Sequence, residues 1–264
     1  MFGSTSTSEP AIRPATGFFG KLPGRGDFIG RHLPKSFLDP WDAWLQESIA
    51  KSRLQLGGGW RECYCTSPIW RFALGSGVCG PTAYAGILMP SVDRVGRYYP
   101  LAIAVPLERD RPLLALPVAA EPWFQQAERL ALFGLDLDRL DLDDFSRQVE
   151  ALGGPPTLLA PPIADASASA PWYCPLSDAP DAGSLAPLLA DALLQRLFSH
   201  ISLWWTEGSE QVARCLLICD GLPPVSGFVA LLAGEWSQWG WREQPFAGVA
   251  CSREGKPSAE ENRA

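Results

Sequence analysis

The sequence YAGILMPSVDRVGRYYPLAIAV, residues 84–105, places two almost wholly apolar runs on either side of a short polar segment. The first run, 84–89, and the second, 99–105, each have the length of a β-strand. The second run, 99–105, lacks the alternation of apolar and polar residues that marks a strand with one solvated face, so we expect it to be buried on both faces. The polar segment between the runs is predicted to be a loop, and it carries Asp93, Arg94 and Arg97.

Strand and helix patterns alternate along the rest of the chain. Apolar runs predict further strands near Phe18 and Phe19 and at 68–74, 201–206, 213–219 and 236–241. Helical spacing predicts helices beginning after Pro34 and again near Pro40, and then at 122–133, 142–152, 185–198 and 228–232. This mixture predicts an α/β fold in which helices cover both faces of a mixed central sheet.

The 264 residues include 25 Gly and 25 Pro, and 47% of the chain is apolar. That apolar content is enough for a core, and the frequent Gly and Pro exclude a coiled coil or a simple helical bundle. We therefore predict one domain flanked by unstructured segments. The predicted parts are a flexible lead at 1–15, a single domain at 16–251 containing a Pro/Ala-rich linker-like insert at 155–184, and a disordered tail at 252–264.

The formal net charge is −7, which disfavours nucleic acid as a partner because phosphate backbones are bound by clustered Lys and Arg. Acidic residues are concentrated at 121–150, where eight acids stand against three arginines. This segment is either a solvated helical face or a docking patch for a basic partner.

The chain has seven Cys and two His, without the spacing of a zinc site or of a secreted disulfide scaffold. We expect buried, reduced thiols, which indicate a reducing compartment. The sequence shows no signal peptide and no apolar run long enough to span a membrane. It therefore predicts a soluble cytoplasmic protein with no direct membrane insertion and no bound metal.

A glycine-rich segment at 20–27, GKLPGRGD, could cradle a phosphate with its backbone amides and Lys21. The segment does not have the spacing of a P-loop or of a dinucleotide-binding turn, and Pro23 removes one amide. Asp27, Asp42, Asp93 and Asp220 could bind a metal, but Asp side chains in loops more often stabilise turns. The sequence contains no serine-hydrolase elbow, and neither histidine lies in a triad-like context.

Two groups of aromatic and charged residues have the composition of protein interfaces. One is the Asp93 segment with Tyr98 and Tyr99, and the other is the pair Trp204 and Trp205. Adjacent residues of a strand point to opposite faces, so one Trp is expected to face the core and the other to be exposed. The alternative is that both groups belong to the core, with the charges forming a structural ion pair.

Several of these motifs together resemble the TagF (ImpM) family of accessory proteins of bacterial type VI secretion. The segment GFFGKLPGRGDF at 17–28 is similar to the N-terminal signature of that family. The other matching segments are F-x-x-P-W-D-x-W-L at 37–45, PIWRF at 68–72, GVCG at 77–80, PSVDRVGRYYPL at 90–101, SLWW at 202–205 and GLP at 221–223. The resemblance extends over about residues 16–240.

The resemblance implies a three-layer α/β/α sandwich without enzymatic activity and without a cofactor. It also implies that the protein represses secretion after translation by binding the forkhead-associated (FHA) scaffold protein of the system. The candidate contact residues lie on the signature loops and in the Trp204–Trp205 pair: Lys21, Arg25, Asp27, Asp93, Arg94, Arg97 and Trp205. The alternatives are a nucleotide- or phosphate-binding enzyme that uses 20–27, and a buried ion-pair network that only fixes the loops. The oligomeric state does not follow from the sequence.

Overall fold

The structure is a computed structural model, and it describes residues 15–108, 111–136, 140–156 and 186–244. Its strands are β1 Gly17–Gly20, β2 Ile29–Arg31, β3 Trp70–Leu74, β4 Tyr84–Met89, β5 Leu101–Pro106, β6 Ile201–Thr206 and β7 Cys215–Asp220. They form one open sheet in the order β2-β1-β5-β4-β3-β6-β7. The α/β class is therefore confirmed.

Every pairing in the described sheet is antiparallel, so the prediction of a mixed sheet is wrong. For strands that follow each other in the chain, the cause lies in the connections. The links between β3 and β4, between β4 and β5, and between β6 and β7 are short. A parallel neighbour needs a crossover of about a dozen residues or more, usually a helix, whereas a short link returns the chain antiparallel.

The helices are α1 Lys35–Leu56, α2 Trp60–Thr66, α3 Leu116–Ala119, α4 Glu121–Phe133, α5 Leu142–Ala151, α6 Ala186–Leu197 and α7 Phe228–Ala233. The helix α1 is continuous through Pro40, so the prediction of a second start there is wrong. Trp41, Trp44 and Leu45 are buried directly after the proline, and their packing outweighs the backbone hydrogen bond that Pro40 cannot donate.

Helices pack on both faces of the sheet because the strand residues alternate between two apolar clusters. In β5, Leu101, Ile103 and Val105 belong to a cluster that includes residues of α4 and α5. Ala102 and Ala104 belong to the other, which includes residues of α1, α2 and α7. The predicted burial of this strand on both faces is confirmed.

The second cluster is rich in aromatic rings. Trp41 of α1 is fully buried, and its ring centroid lies 4.9 Å from that of Phe72, 5.3 Å from that of Trp44 and 6.0 Å from that of Trp204. The Trp44 indole donates a 2.8 Å hydrogen bond to the carbonyl of Pro223, whereas the buried Trp41 Nε1 has no partner among the described residues.

Several local predictions are wrong. Residues 236–239 form a 3₁₀ turn, and the sequence patterns missed both α2 and the short strand β2. The apolar run at 213–219 indicated a buried strand, but β7 is an edge strand and its Leu216 and Ile218 side chains are exposed. The five described cysteines are free, but Cys65 is exposed. The predicted lead, insert and tail lie almost wholly outside the described residues.

Candidate interaction surface

A buried ion pair joins the two loops that the sequence singled out. Residues 21–28 connect β1 to β2, and residues 90–100 connect β4 to β5; we call them the Lys21 loop and the Asp93 loop. The Lys21 Nζ atom lies 2.5 Å from Asp93 Oδ2, and the two side chains are 5% and 0% exposed. The loops meet because β1 and β5 are neighbouring strands, although the two residues are 72 positions apart.

Asp93 also organises its own loop. Its Oδ1 accepts hydrogen bonds from the amides of Val95 at 3.0 Å and Arg97 at 2.8 Å, and its Oδ2 accepts one from Arg97 Nε at 2.7 Å. Burial by itself raises the pKa of the Asp93 carboxyl. The hydrogen bonds from Lys21, Arg97 and Val95 outweigh burial, and the pKa lies below its usual range. Asp93 is therefore held ionised.

Backbone contacts complete the connection between the loops. The Arg94 amide donates to the Arg25 carbonyl at 3.1 Å, and the Arg97 guanidinium donates to the Gly26 carbonyl. The Ser91 hydroxyl donates to the Lys21 carbonyl at 2.7 Å. The loops thus form one rigid unit.

The outer surface of this unit is charged and aromatic. The side chains of Arg25, Asp27, Arg94 and Arg97 are exposed, and Asp27 lies 3.9 Å from Arg97 across the two loops. The Phe28 ring is 46% exposed, yet it stacks on Phe19 and meets Tyr99 edge to face. The structure therefore brings six of the seven candidate residues together, with Lys21 and Asp93 buried beneath the other four.

Trp205 does not belong to this surface. It is 6% exposed on β6 and packs edge to face against Phe124 of α4, with 4.8 Å between ring centroids. Trp204 is buried on the opposite face of the sheet. The expectation that one Trp of the pair is exposed is wrong, because helices cover both faces of this strand.

The geometry gives little support to a phosphate site at 20–27. The Lys21 ammonium is buried and neutralised by Asp93, so the loop does not present it to an anion. Within the described residues, no cluster of His, Cys, Asp and Glu has the arrangement of a metal site. In that part of the chain no helix is long and apolar enough to cross a membrane.

A second feature of this region, a groove, does not follow from the sequence patterns. An open groove of about 710 Å³ runs beside the Asp93 loop, between α1 and the start of α2. The glycine run 57–59 turns the chain so that Trp60 returns against α1, where its indole donates to the Ser52 hydroxyl at 2.9 Å. From the sequence, the glycine run indicated only the end of a helix. The groove forms because α2, which follows the run, packs back against α1.

The sequence also gave no indication that Arg71 has a structural role. It is buried on β3, and its guanidinium binds Glu128 through Nε at 2.6 Å and Glu121 through Nη1 at 2.6 Å. Two of the acids in the 121–150 segment therefore neutralise a buried arginine. A third, Asp141, caps α5 by accepting a 2.8 Å hydrogen bond from the Asp144 amide.

Gly20, where β1 ends, is required by a close approach of β5. Its φ is +146°, and a Cβ there would lie 2.2 Å from the Pro100 carbonyl oxygen. We expect Gly20→Ala to lower the free energy of unfolding by about 2–3 kcal/mol, because strain and overlap add. The matched control is Gly24→Ala, whose Cβ meets nothing within 4 Å and which we expect to change stability by less than about 0.5 kcal/mol. Urea unfolding compares the two, and equal stabilities would contradict the prediction.

Residues 17–152 match the model of the family described as the TagF N-terminal domain, type VI secretion system-associated. The chain belongs to the TagF family. The match includes both loops and the groove. A crystal structure of PA0076 from Pseudomonas aeruginosa PAO1, at 37% identity, has a TM-score of 0.73 and covers 89% of this chain and 100% of its own. No curated protein matches the chain. The resemblance of the sequence motifs to TagF is thereby confirmed.

Proposed function

We propose that this TagF-family chain is a non-enzymatic cytoplasmic regulator that represses type VI secretion by binding the FHA scaffold protein of the system. Membership of a family associated with type VI secretion supports the setting of this proposal. The exposed face of the joined Lys21 and Asp93 loops supports a role in binding, since Arg and aromatic side chains are enriched in protein interfaces.

The observation that carries the proposal is the separation of buried and exposed charges in the two loops. Lys21 and Asp93 neutralise each other inside the protein, while Arg25 and Arg94 point to solvent from a rigid backbone. A rigid surface loses little conformational entropy on association. The loops therefore have the physical properties of a preformed contact surface, with Arg25, Asp27, Arg94 and Arg97 as the contacts.

The test is capture of the purified FHA scaffold by variants of the full chain. We expect Arg25→Ala/Arg94→Ala to weaken binding at least about tenfold, as expected when contact arginines are truncated. These two side chains lie outside the Asp93 network, so the variant should unfold at the wild-type temperature. A second double variant, Arg94→Ala/Arg97→Ala, removes Arg97, whose side chain lies on this surface and also binds Asp93.

The control removes two exposed arginines from the opposite side of the sheet, in Arg129→Ala/Arg147→Ala. Undiminished capture by folded Arg25→Ala/Arg94→Ala would exclude this surface. Failure of the wild-type chain to capture the scaffold would exclude the proposed partner.

A further inference from the structure

The lining of the groove beside the Asp93 loop has an excess of basic side chains, on a protein with a net charge of −7. Three arginines line it, and no carboxylate residue does. The lining residues are Gln46, Ile49, Ala50, Arg53, Gly57, Gly58, Trp60, Arg61, Gly96, Arg97, Tyr98 and Tyr99. Local charge of this sign attracts an acidic ligand despite the overall charge.

Two of the three arginines have no acidic partner among the residues that the structure describes. Within the described parts of the chain, neither Arg53 nor Arg61 forms an ion pair, and both are exposed. Arg97 differs, because its Nε is bound to Asp93. Arg53 and Arg61 are therefore available for carboxylate or phosphate groups.

Arg53 is held in place by aromatic rings. Its guanidinium carbon lies 4.3 Å from the centroid of Trp60 and 5.7 Å from that of Tyr98. Trp60 is fixed by its hydrogen bond to Ser52 and by stacking on Tyr64 at 4.8 Å. Stacking orients the planar guanidinium before a ligand arrives, which lowers the entropy lost on binding.

The glycines of the groove favour a ligand that lies close to the protein backbone. Gly57, Gly58 and Gly96 lie along it, and a Cβ built at any of them meets nothing within 4 Å. The missing side chains leave the backbone open to close approach. The groove is open to solvent, so a peptide segment can reach these glycines and the arginines beside them.

We propose that this groove binds an acidic peptide segment of a partner protein, whose carboxylate or phosphate groups are bound by Arg53 and Arg61. The inference rests on the proposed function for the nature of the partner, but peptide binding itself can be measured without the scaffold. Nucleic acid fits less well, because two available arginines are few for a phosphate backbone and the surrounding protein is acidic.

The experiment measures fluorescence anisotropy of short labelled peptides with the full chain. One peptide is rich in Asp and Glu, one has phosphothreonine at those positions, and one has Asn and Gln. We expect saturable binding of at least one of the first two that weakens with added NaCl, and at least about tenfold weaker binding of the Asn/Gln peptide. The acidic and phosphorylated peptides distinguish the two sources of negative charge.

The decisive variant is Arg53→Gln/Arg61→Gln, which we expect to weaken binding at least about tenfold. The matched control Arg129→Gln/Arg147→Gln removes the same charge on the other side of the sheet and should bind like the wild type. Equal binding by the two variants, or no binding of either charged peptide, would overturn the inference. Full displacement of the peptide by a single-stranded oligonucleotide at equal concentration would assign the groove to nucleic acid instead.

These outcomes are distinguishable from failure of the proposed function. Scaffold capture without peptide binding would exclude the groove and leave the regulator in place. Peptide binding without scaffold capture would support the groove and exclude that scaffold as its partner.

Discussion

Asp93→Ala is expected to lower the free energy of unfolding by about 3–5 kcal/mol, the cost of removing one partner of a buried ion pair. The substitution leaves the Lys21 ammonium buried without a counter-charge, and it removes the acceptor for the amides of Val95 and Arg97. Urea unfolding followed by tryptophan fluorescence measures the change.

Lys21→Met is the companion variant for this prediction. It removes the other charge, but Asp93 keeps its hydrogen bonds from Val95 and Arg97. We therefore expect a smaller loss than for Asp93→Ala. The double variant should be less destabilised than the sum of the two single variants, because the buried charge that each leaves behind is then absent. A loss below about 1 kcal/mol for Asp93→Ala would contradict the assigned role.

The same pair predicts a pH dependence. The pKa of the Asp93 carboxyl is lowered in the folded protein. Its contribution to stability is therefore fully present above the unfolded pKa of about 3.9, and it is lost as pH falls towards the folded pKa. The stability difference between the wild type and Asp93→Ala should shrink below about pH 4. A difference that stays constant down to pH 3 would show that ionisation of Asp93 does not stabilise the fold.

Trp41→Ala is expected to destabilise the fold by about 3–5 kcal/mol, as for large buried aromatic residues. The residue is fully buried, and its ring contacts Phe72, Trp44 and Trp204 across the interface between α1 and the sheet. Removing it leaves a cavity that the surrounding rings cannot fill without leaving their rotamers. Thermal and urea unfolding give the change in stability.

A comparison of two phenylalanine variants tests the hydrogen bonding at this site. Trp41 Nε1 has no partner in the described residues, so Trp41→Phe loses only ring volume. Trp44→Phe also leaves the Pro223 carbonyl without its 2.8 Å donor, which adds about 1 kcal/mol. We expect Trp44→Phe to be the more destabilising. The reverse order would show that Trp41 has a polar partner in solution.

The sequence predicted well where a local pattern determines the structure. The strands Tyr84–Met89 and Ile201–Thr206 have the predicted bounds, because unbroken apolar runs between turn residues are strong signals. The helices α4 and α5 lie within one residue of their predicted positions for the same reason. The prediction of a new helix start near Pro40 was wrong because the packing of α1 outweighs the local effect of the proline.

Features that depend on contacts distant in sequence could not be predicted. Alternation correctly placed Trp204 and Trp205 on opposite faces, but their burial depends on which helices cover β6. The sequence suggested Lys21 and Asp93 as surface contacts and left a buried ion-pair network as the alternative. Only the pairing of β1 with β5 brings the two side chains together inside the protein. The groove was missed because Arg53, Arg61 and Arg97 belong to three separate segments.

The joined loops separate the residues that hold the backbone from those that meet solvent. The Asp93 carboxylate accepts hydrogen bonds from Lys21, Val95 and Arg97 at the same time. A substitution of Asp93 must therefore be compensated at several positions. Arg25 and Arg94 take part through their backbone atoms, and their side chains can be exchanged without disturbing the loops. Evolution can therefore alter the specificity of this surface one side chain at a time while the fold stays constant, and protein engineers can use the same freedom to redirect it to a new partner.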